Sequence, residues 1–563
     1  MKSLELTLHV LEEYGKALKI DTRRDRETLK SRAVTEGEGF LTLTLPRLEK
    51  ELLAWLDFSL DSSDLFSGFK RRGGLPAFLQ GFLRVLSHRV DGVYVPFDRP
   101  PTRDEALSLK GLRQILSLHG KRSEVASDAR VAKAVQGFRA TEDGLRSFAG
   151  TDPDLVEEFY RLFGTALHEV EKHLFNEPFV AKHGSGAVAG KESVNSRWRF
   201  DSWPHNLQRV IPFWEVVPLG QLIDGEEPQI VSRPRSRLTA VPKTASTPRL
   251  ISIEPWQHQF VQQGLLRLLK REVSRTPAWR EMGWTDQSRN AILARTGSQD
   301  RSLATLDLSE ASDRVHKRLV WDLLSRHRYL RQWVFACRST HVEMPDGLIE
   351  LEKFSSMGSA LTFPIESMVF YAIASLGRKR SGTSLKTLSV YGDDIIVPTE
   401  SVTDVVSLLE FHSFKVNRSK SFTRGWFKES CGSDWFGGYT VNFVRVRHTL
   451  DDTRSGAGLE KNINLRNRLF EAGLFGAVSY LDGRLGHVPF GPVGTPHLAR
   501  FTYDQSKIVM RTNKSLQRLE FKALRIERMV PQDELAGWPA LNKVLTLREV
   551  ARDPLTKDHL TLA

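Results

Sequence analysis

The stretch from Leu385 to Pro398, LKTLSVYGDDIIVP, limits the possible folds of this chain more than any other. Aliphatic and β-branched residues on both sides of a short turn predict two paired strands, and Tyr391-Gly392 supplies the flexibility that a tight hairpin needs. Asp393 and Asp394 stand at the apex. Two carboxylates at one turn repel each other unless a partner neutralises them, and Mg²⁺ takes carboxylate oxygens. Taken alone, however, such a pair more often marks an ordinary solvated turn.

A third aspartate upstream changes that balance. Asp307 ends an apolar, strand-like segment within TLDLSEASDRV. If this strand lies beside the hairpin in one sheet, three carboxylates share one site, and such a cluster can hold two cations about 3.5–4 Å apart. That geometry suits in-line attack on a phosphorus atom. A calcium-binding loop over Asp307–Asp313 is excluded because the segment lacks the central glycine and the terminal glutamate.

The order of elements around these aspartates predicts an α+β fold. After the Asp307 strand come a helix, a hairpin over His341–Glu352, a turn rich in glycine and serine over Ser355–Thr362, a buried helix over Pro364–Leu376, and then the Asp-Asp hairpin. This order indicates a mainly antiparallel sheet. With 563 residues the chain should divide into two to four subdomains, of which the first 180 residues or so are mainly helical.

Basic segments indicate a polyanionic partner. The formal net charge is +13, which favours nucleic acid first and an anionic membrane second. The segment Val231–Arg249 contains cations and not one acid; as an extended hairpin or loop it is either a solvated face or the wall of a polyphosphate channel. Arginines and aromatics alternate over Arg197–Trp203, which is either a base-stacking surface or a packing patch. The loop His183–Lys191 fails the phosphate-loop pattern and is predicted to be flexible.

Other classes of protein are disfavoured. Cys337 and Cys431 are the two cysteines, and neither lies in a CxxC pair, so a disulfide framework and a cysteine zinc site are not expected and a reducing cytoplasm is. The first twenty residues contain acids where a signal peptide would be apolar. The longest mainly apolar run, Met368–Leu376, is too short to span a bilayer. We therefore expect a soluble, intracellular protein.

Several segments together resemble the ordered motifs of viral RNA-dependent RNA polymerases, and most closely the replicase catalytic beta subunit of single-stranded RNA bacteriophages, the levivirus family. The resemblance rests on these segments: DLSEASD at Asp307–Asp313, SSMGSALTFPIES at Ser355–Ser367, YGDD at Tyr391–Asp394, FKVNRSKSF at Phe414–Phe422, FKESCGSDWFGG at Phe427–Gly438, and the basic PKTASTPRLISIEP at Pro242–Pro255. YGDD alone is a weak match, whereas this many motifs in the right order are specific.

The resemblance implies a right-hand polymerase. Residues 1–245 would form mainly the fingers, 246–440 an antiparallel-sheet palm and 441–563 the thumb, with fingers and thumb largely helical. The implied reaction adds ribonucleoside triphosphates to an RNA 3′ end on a viral single-stranded RNA template and releases pyrophosphate. Two Mg²⁺ ions, for which Mn²⁺ can substitute, would be the cofactor. The implied partners are host elongation factors Tu and Ts and a small-subunit ribosomal protein, in the cytoplasm of a bacterial host and without a membrane.

The resemblance also implies roles for individual residues. The metal ligands would be Asp307, Asp393 and Asp394, and Lys420 would protonate the leaving group, although it is equally an ordinary surface lysine. Asp313 would lie near the incoming ribose and favour a 2′-hydroxyl. The remaining nucleotide-binding residues would be Lys243, Arg249, Ser356, Gly358, Thr362 and Glu366. The RNA-binding residues would be Arg233, Arg235, Arg237, Tyr391 and Gly392.

Two departures from the family pattern affect details of template handling. Ser359-Ala360 stands where the family usually has Asn-Gly, and alanine does not take positive φ cheaply, so the loop is expected to differ in shape or mobility. Ser433-Asp434 stands where histidine is usual, and Cys431 is expected to be structural. Two rival functions stay open: a reverse transcriptase, against which Asp313 argues, and a non-catalytic basic RNA-binding protein.

Overall fold

The computed structural model describes residues 2–123, 126–232, 235–244, 247–450, 455–527 and 534–552, with the backbone alone for 551 and 552. The protein is mixed helix and sheet, and 48% of it is helical, so the α+β expectation is confirmed at this level. In the part of the chain described, none of the helices combines the length and the apolar character needed to cross a membrane.

The N-terminal region is helical, as predicted. Its helices are α1 (Lys2–Leu18), α2 (Arg23–Glu36), α3 (Leu45–Leu56), α4 (Gln80–Val85), α5 (Arg103–Ser117), α6 (Asp128–Leu145) and α7 (Pro153–Asn176). Its strands form two short hairpins, β1 (Arg71–Arg72) with β2 (Leu75–Pro76) and β3 (Ser87–Val90) with β4 (Val93–Pro96). Helix α5 begins with a capping box, in which the Thr102 side chain accepts from the Glu105 N–H and the Glu105 side chain accepts from the Thr102 N–H.

The central region alternates strands and helices. The elements up to the first aspartate are β5 (Ser202–Pro204), α8 (His205–Gln208), α9 (Leu219–Ile223), β6 (Gln229–Val231), β7 (Arg235–Val241), β8 (Arg249–Ile253), α10 (Trp256–Val273), α11 (Ser288–Asp300) and β9 (Leu303–Leu306). Those that follow are β10 (Leu308–Ser309), α12 (Lys317–Leu323), α13 (Arg328–Ala336), β11 (His341–Met344), β12 (Gly347–Glu350), α14 (Thr362–Arg380), β13 (Ser389–Tyr391), β14 (Asp394–Pro398), α15 (Val402–Phe411), β15 (Lys415–Val416), β16 (Phe427–Ser430), β17 (Ser433–Phe436) and β18 (Tyr439–Thr440).

Two sheets carry the motifs. The strand that precedes Asp307 lies beside the hairpin, because β9 pairs antiparallel with β14 and β14 pairs antiparallel with β13, with Leu306 opposite Ile395. The predicted pairing is therefore confirmed. Of the two alternatives for the basic segment, an extended hairpin or a loop, the structure shows the hairpin: β7 lies within the segment and pairs antiparallel with β8, which begins at its last residue. This pair joins the hairpin β11–β12 in a four-stranded sheet of order β12-β11-β7-β8, in which β11 runs parallel to β7.

Two hydrophobic cores support these sheets. The larger one joins α7 and α10 to the hairpin β13–β14 and to α14, which is buried along most of its length. Burying a helix on all sides is consistent with its apolar sequence. The second core joins α1, α3 and α5 to residues 422–481. The N-terminal helices therefore pack against the segment that follows the hairpin, while the boundaries at 245 and 440 stay predictions.

The C-terminal region is less helical than expected. It contains α16 (Gly456–Glu471), α17 (Phe475–Asp482), β19 (Phe490–Pro492), β20 (Arg500–Thr502), β21 (Met510–Asn513), β22 (Arg518–Phe521) and α18 (Gly537–Arg552). The four short strands correct the expectation of a largely helical region. Strands β19 and β20 have three residues each, too few to show an alternation. Strands β21 and β22 are mostly exposed and show no strong alternation of apolar and polar residues.

Candidate active site

The Asp-Asp turn contains a glycine whose replacement by a larger residue would be strained. Tyr391 pairs with Asp394 across the hairpin, and Gly392 has φ of +58°, which favours glycine. A β carbon at Gly392 would lie 3.0 Å from the ring of Phe363 on α14. The ring of Tyr391 packs edge-on against the same ring, with centroids 5.2 Å apart. Tyr391 and Gly392 thus both pack against Phe363 on α14. RNA binding by these two residues stays a prediction.

Asp307 follows β9 directly and is held from the segment after the hairpin. The side-chain amide of Asn417 donates to its Oδ2 at 2.8 Å, and Nζ of Lys420 lies 3.6 Å from its Oδ1. The Asp307 N–H donates to Oγ of Ser421 at 3.1 Å. The proposed proton donor is therefore in the site. Asn417 lies inside the FKVNRSKSF motif. Its sequence position alone does not predict the contact with Asp307, because an asparagine after a strand usually indicates only a turn.

The carboxyl groups of this site repel one another and are packed among protein atoms to different degrees: Glu366 is buried, Asp394 is half-buried and Asp393 is exposed. Desolvation by the surrounding protein atoms, followed by the charge of Asp307, raises the pKa of Asp393. Burial, followed by the charge of Asp393, raises the pKa of Asp394 from 3.8 to about 6. Burial, with Asp393 and Asp313 next, holds the pKa of Glu366 well above its usual range. These raised values show that the protein supplies less positive charge here than the acids require.

The turn of the β16–β17 hairpin supports Asp394. The backbone N–H of Cys431 donates to Oδ2 of Asp394 at 3.2 Å, and Cys431 has φ of +50°. Burial and the charge of Asp394 raise the pKa of the Cys431 thiol, so the thiol stays protonated and unreactive at neutral pH. This agrees with a structural role for Cys431.

Two lysines, Lys420 and Lys243, lie close to Asp307, and a third, Lys121, lies close to both of them. Burial alone would lower the pKa of Lys420, but attraction by Asp307 and other acids outweighs it and leaves that pKa raised. Burial and the neighbouring Arg249 lower the pKa of Lys243, which also feels Lys420, Lys121 and Asp307. Lys121 comes from the connection after α5, whose backbone is bonded to residues 446 and 447. Nothing in the sequence indicates a role for Lys121, since it lies outside every recognised motif.

The loop after Ser355 is shaped by one glycine. Gly358 has φ of +129°, and a β carbon there would overlap the carbonyl oxygen of Ser252 on β8. Thr362 donates from Oγ1 to the Ser356 carbonyl at 2.8 Å. Ala360 is not among the residues with positive φ, and its N–H donates to Gln262 at 3.1 Å. Ser359-Ala360 therefore fits the loop without a positive φ at Ala360, and the expected difference in shape or mobility stays a prediction.

Asp313 lies in a short helical turn and is bound to a buried lysine. Nζ of Lys353 is 2.8 Å from Oδ1 of Asp313. Asp313 is also close enough to Glu366 to raise its pKa, and Oε2 of Glu366 has no hydrogen-bond partner among the residues described. Asp313 and Glu366 therefore lie close to each other, and Glu366 lies close to Asp393 of the hairpin. The contact with Lys353 was not predicted.

Arg235 and Arg237 line a cavity whose lining does not include Asp307, Asp393 or Asp394. Arg237 donates to the Ala189 carbonyl at 3.0 Å, and Nε of Arg235 is 3.7 Å from Glu343. The cavity has a volume of about 230 Å³ and also borders Trp256. The predicted Arg233 lies outside the described residues.

The alternating arginines and aromatics over Arg197–Trp203 form a packing patch. Trp198, Phe200 and Trp203 are buried in the larger core, and the guanidinium of Arg197 donates to the Gly184 carbonyl at 3.1 Å. The alternative of a base-stacking surface was wrong, because the aromatic faces are occupied by protein.

Ser433-Asp434, the second departure, is part of a buried ion pair. Asp434 lies 3.0 Å from the guanidinium of Arg113 on α5, which also pairs with Glu49 at 2.8 Å. Arg113 is 1% exposed in its side chain. The aspartate thus ties the β16–β17 hairpin to the N-terminal helices.

The donor set fits a hard cation in its chemistry. Carboxylate oxygens of Asp307 and Asp393 are ligands that Mg²⁺ prefers, and a bound cation would offset the repulsion that raises the pKa of Asp393. Among the residues that the structure describes, no three acidic, histidine or cysteine side chains are arranged so that they could hold a metal ion together.

Comparison with known proteins identifies relatives of this chain. Residues 221–459 match the family described as RNA replicase, beta-chain. The chain is 32% identical over 339 residues to the RNA-directed RNA polymerase subunit beta of Enterobacteria phage SP, a match that covers 58% of each protein. It is 36% identical over 246 residues to the RNA-directed RNA polymerase beta chain of Escherichia phage MS2, covering 44% of this chain and 42% of that one. For the beta chain of Enterobacteria phage GA, the identity is 38% over 201 residues, covering 35% and 36%.

These matches confirm the resemblance noted in the motifs. The aligned parts cover less than two thirds of each relative's length. A solved RNA-dependent RNA polymerase of BmCPV at the elongation state is similar with a TM-score of 0.41 and 10% identity, over 68% of this chain and 38% of that chain.

Proposed function

We propose that this chain, which matches the RNA replicase beta-chain family over residues 221–459, is an RNA-directed RNA polymerase that copies a viral single-stranded RNA. The observation that supports this most strongly is the antiparallel pairing of β9 with β14, which brings Asp307 beside the Asp393-Asp394 turn. A right-hand arrangement of fingers, palm and thumb, divided near residues 245 and 440, is part of the proposal.

In this proposal Asp307 and Asp393 hold Mg²⁺, or Mn²⁺ in its place, and Asp394 completes the acidic group. When bound, the two ions would activate the attacking 3′-hydroxyl and neutralise charge on the phosphates. Asn417 and Lys420 hold the Asp307 carboxylate in place through contacts at 2.8 and 3.6 Å. Asp394 is oriented by the Cys431 N–H. Both carboxylates are thus fixed by neighbours before a substrate arrives.

The lysines handle the triphosphate and its protons. Lys243 and Arg249 lie close enough for Arg249 to lower the pKa of Lys243, after burial, and their paired charge suits a polyphosphate. The raised pKa of Lys420 keeps its Nζ protonated at neutral pH. Lys420 is therefore able to give a proton to the departing pyrophosphate. Asp313, Ser356, Thr362 and Glu366 would contact the sugar and the base.

The partners follow from the same family resemblance. We propose host elongation factors Tu and Ts and a small-subunit ribosomal protein as partners, in the bacterial cytoplasm. Arg235 and Arg237 would bind RNA at the cavity beside Trp256, because arginine forks match phosphate oxygens.

The test is RNA-templated synthesis by the purified chain with Mg²⁺, alone and with bacterial host extract. Labelled ribonucleotides or deoxyribonucleotides are supplied on a template ending in cytidine. The proposal predicts an alkali-sensitive complementary product from ribonucleotides. A product made only from deoxyribonucleotides would identify a reverse transcriptase, and no product in any arm would favour a non-catalytic RNA-binding protein.

A further inference from the structure

Lys353 is fully buried, yet its ammonium group lies between two carboxylates. Nζ is 2.8 Å from Oδ1 of Asp313 and 3.1 Å from Oε1 of Glu142 on α6. It also lies 3.5 Å from the centroid of the Phe138 ring. The Lys353 side chain is 0% exposed, Glu142 3% and Asp313 18%. Removing these charges from water is costly, so the group needs its partners to be held in place.

The backbone around Lys353 is fixed by two further side chains. The second oxygen of Glu142 accepts from the N–H groups of Glu352 at 2.6 Å and Lys353 at 3.4 Å. The buried Arg338 donates to three carbonyl groups within 351–354, at 2.6–2.7 Å. With both its backbone and its ammonium group constrained, Lys353 has little freedom to leave Asp313.

The contact with Lys353 defines what Asp313 can do. Lys353 occupies Oδ1 of Asp313, which leaves Oδ2 to accept from another donor. Asp313 also lies close enough to Glu366 for its charge to help raise the pKa of that carboxyl. A carboxylate held on one side is suited to accept a hydrogen bond from a sugar hydroxyl.

We propose that Lys353 is a positioning residue for sugar selection: it holds Asp313 where that carboxylate accepts from the ribose 2′-hydroxyl, and Glu142 anchors it from α6. This inference rests on the proposed polymerase function. A site built to hydrogen-bond a substrate hydroxyl rejects the analogue that lacks it, because a buried polar group is then left unpaired. Loss of Lys353 should therefore affect the choice between sugars more than the chemical step.

The experiment compares ribonucleotide with deoxyribonucleotide incorporation, as the ratio of the two kcat/KM values, in the full-length protein. Lys353→Met removes the charge at similar length, and Lys353→Gln keeps a donor that can bond both carboxylates. We expect Lys353→Met to lower the ratio at least tenfold, through a higher KM for ribonucleotides and little change for deoxyribonucleotides. Lys353→Gln should lower the ratio by less, because its amide can still donate to Asp313. The double variant of Lys353→Met with Asp313→Asn should discriminate no worse than Asp313→Asn alone, since Lys353 acts through Asp313.

Lys428→Met is the matched control, because Lys428 is also fully buried and donates only to the Gly425 carbonyl at 2.8 Å among its described contacts. It should leave the ratio unchanged. If Lys353→Met does not fold, Lys353→Gln decides the question. Equal loss of both activities, or an unchanged ratio, would overturn the positioning role. Absence of any incorporation by the wild-type chain would instead refute the proposed function, and the inference with it.

Discussion

Replacing Asp394 with asparagine should make the protein more stable while impairing its proposed reaction. Burial and the charge of Asp393 raise the pKa of Asp394 from 3.8 to about 6. A carboxyl group whose pKa is higher in the folded than in the unfolded chain binds its proton more tightly when folded. Its ionisation therefore costs folding free energy, and this cost appears as the pH rises from about 4 to 6 and is complete above that range.

The expected gain follows from this difference in pKa. The pKa of Asp394 rises from 3.8 to about 6, and each pKa unit corresponds to about 1.36 kcal/mol. Ionisation of Asp394 in the folded protein therefore costs about 3 kcal/mol of folding free energy at pH 7.5 and about half of that at pH 5. The amide oxygen of asparagine can still accept from the Cys431 N–H, so that contact is preserved. Removing the charge should then raise the free energy of unfolding by up to about 3 kcal/mol.

The assay is urea unfolding in EDTA at pH 7.5 and pH 5, for the wild type, Asp394→Asn, and the exposed control Asp61→Asn. The control should be neutral at both pH values. Adding Mg²⁺ should stabilise the wild type more than Asp394→Asn, because the ion offsets the repulsion that the variant lacks. A variant less stable than the wild type, or a gain that is equal at the two pH values, would refute the electrostatic argument.

Three further predictions follow from the site and its supports. Gly358→Ala should lower both thermal stability and RNA synthesis, because a β carbon there would overlap the Ser252 carbonyl; an unchanged melting temperature would contradict this. Lys420→Gln should reduce the rate of RNA synthesis by roughly 10²-fold or more with RNA binding unchanged. The control Lys415→Gln, on the exposed side of β15, should not reduce this rate. Equal rates for the wild type and Lys420→Gln would exclude proton donation by Lys420. Arg113→Met should cost about 3–5 kcal/mol in urea unfolding, since it leaves two buried carboxylates unpaired; a neutral effect would show that they become protonated instead.

Local pattern predicted the parts of the site that lie on regular elements. The hairpin at Asp393 was predictable because β-branched residues flank a turn, and its pairing with the Asp307 strand followed from placing both in one sheet. The helix over Pro364–Leu376 followed from its apolar composition. These signals depend on neighbours in sequence, and the structure contains the elements they predicted.

The contacts that complete the site were not predictable in this way. Lys353 and Lys121 are lysines, which in a sequence usually indicate a solvated surface. Only the packing of α6 against Lys353, and of the connection after α5 against residues 446–447, gives them partners. The segment Arg197–Trp203 shows the reverse case, since its composition permitted an RNA surface and tertiary packing buried it.

The most direct test of the proposed function is Mg²⁺-dependent synthesis of complementary RNA by the wild type and by Asp393→Asn, with RNA binding measured in parallel. We expect both proteins to bind the template equally. Synthesis by Asp393→Asn should fall by roughly a thousandfold or more, equivalent to about 4 kcal/mol of lost transition-state stabilisation. Equal synthesis by the two proteins would contradict the assignment of Asp393 as a metal ligand and, with it, the catalytic site proposed for this chain.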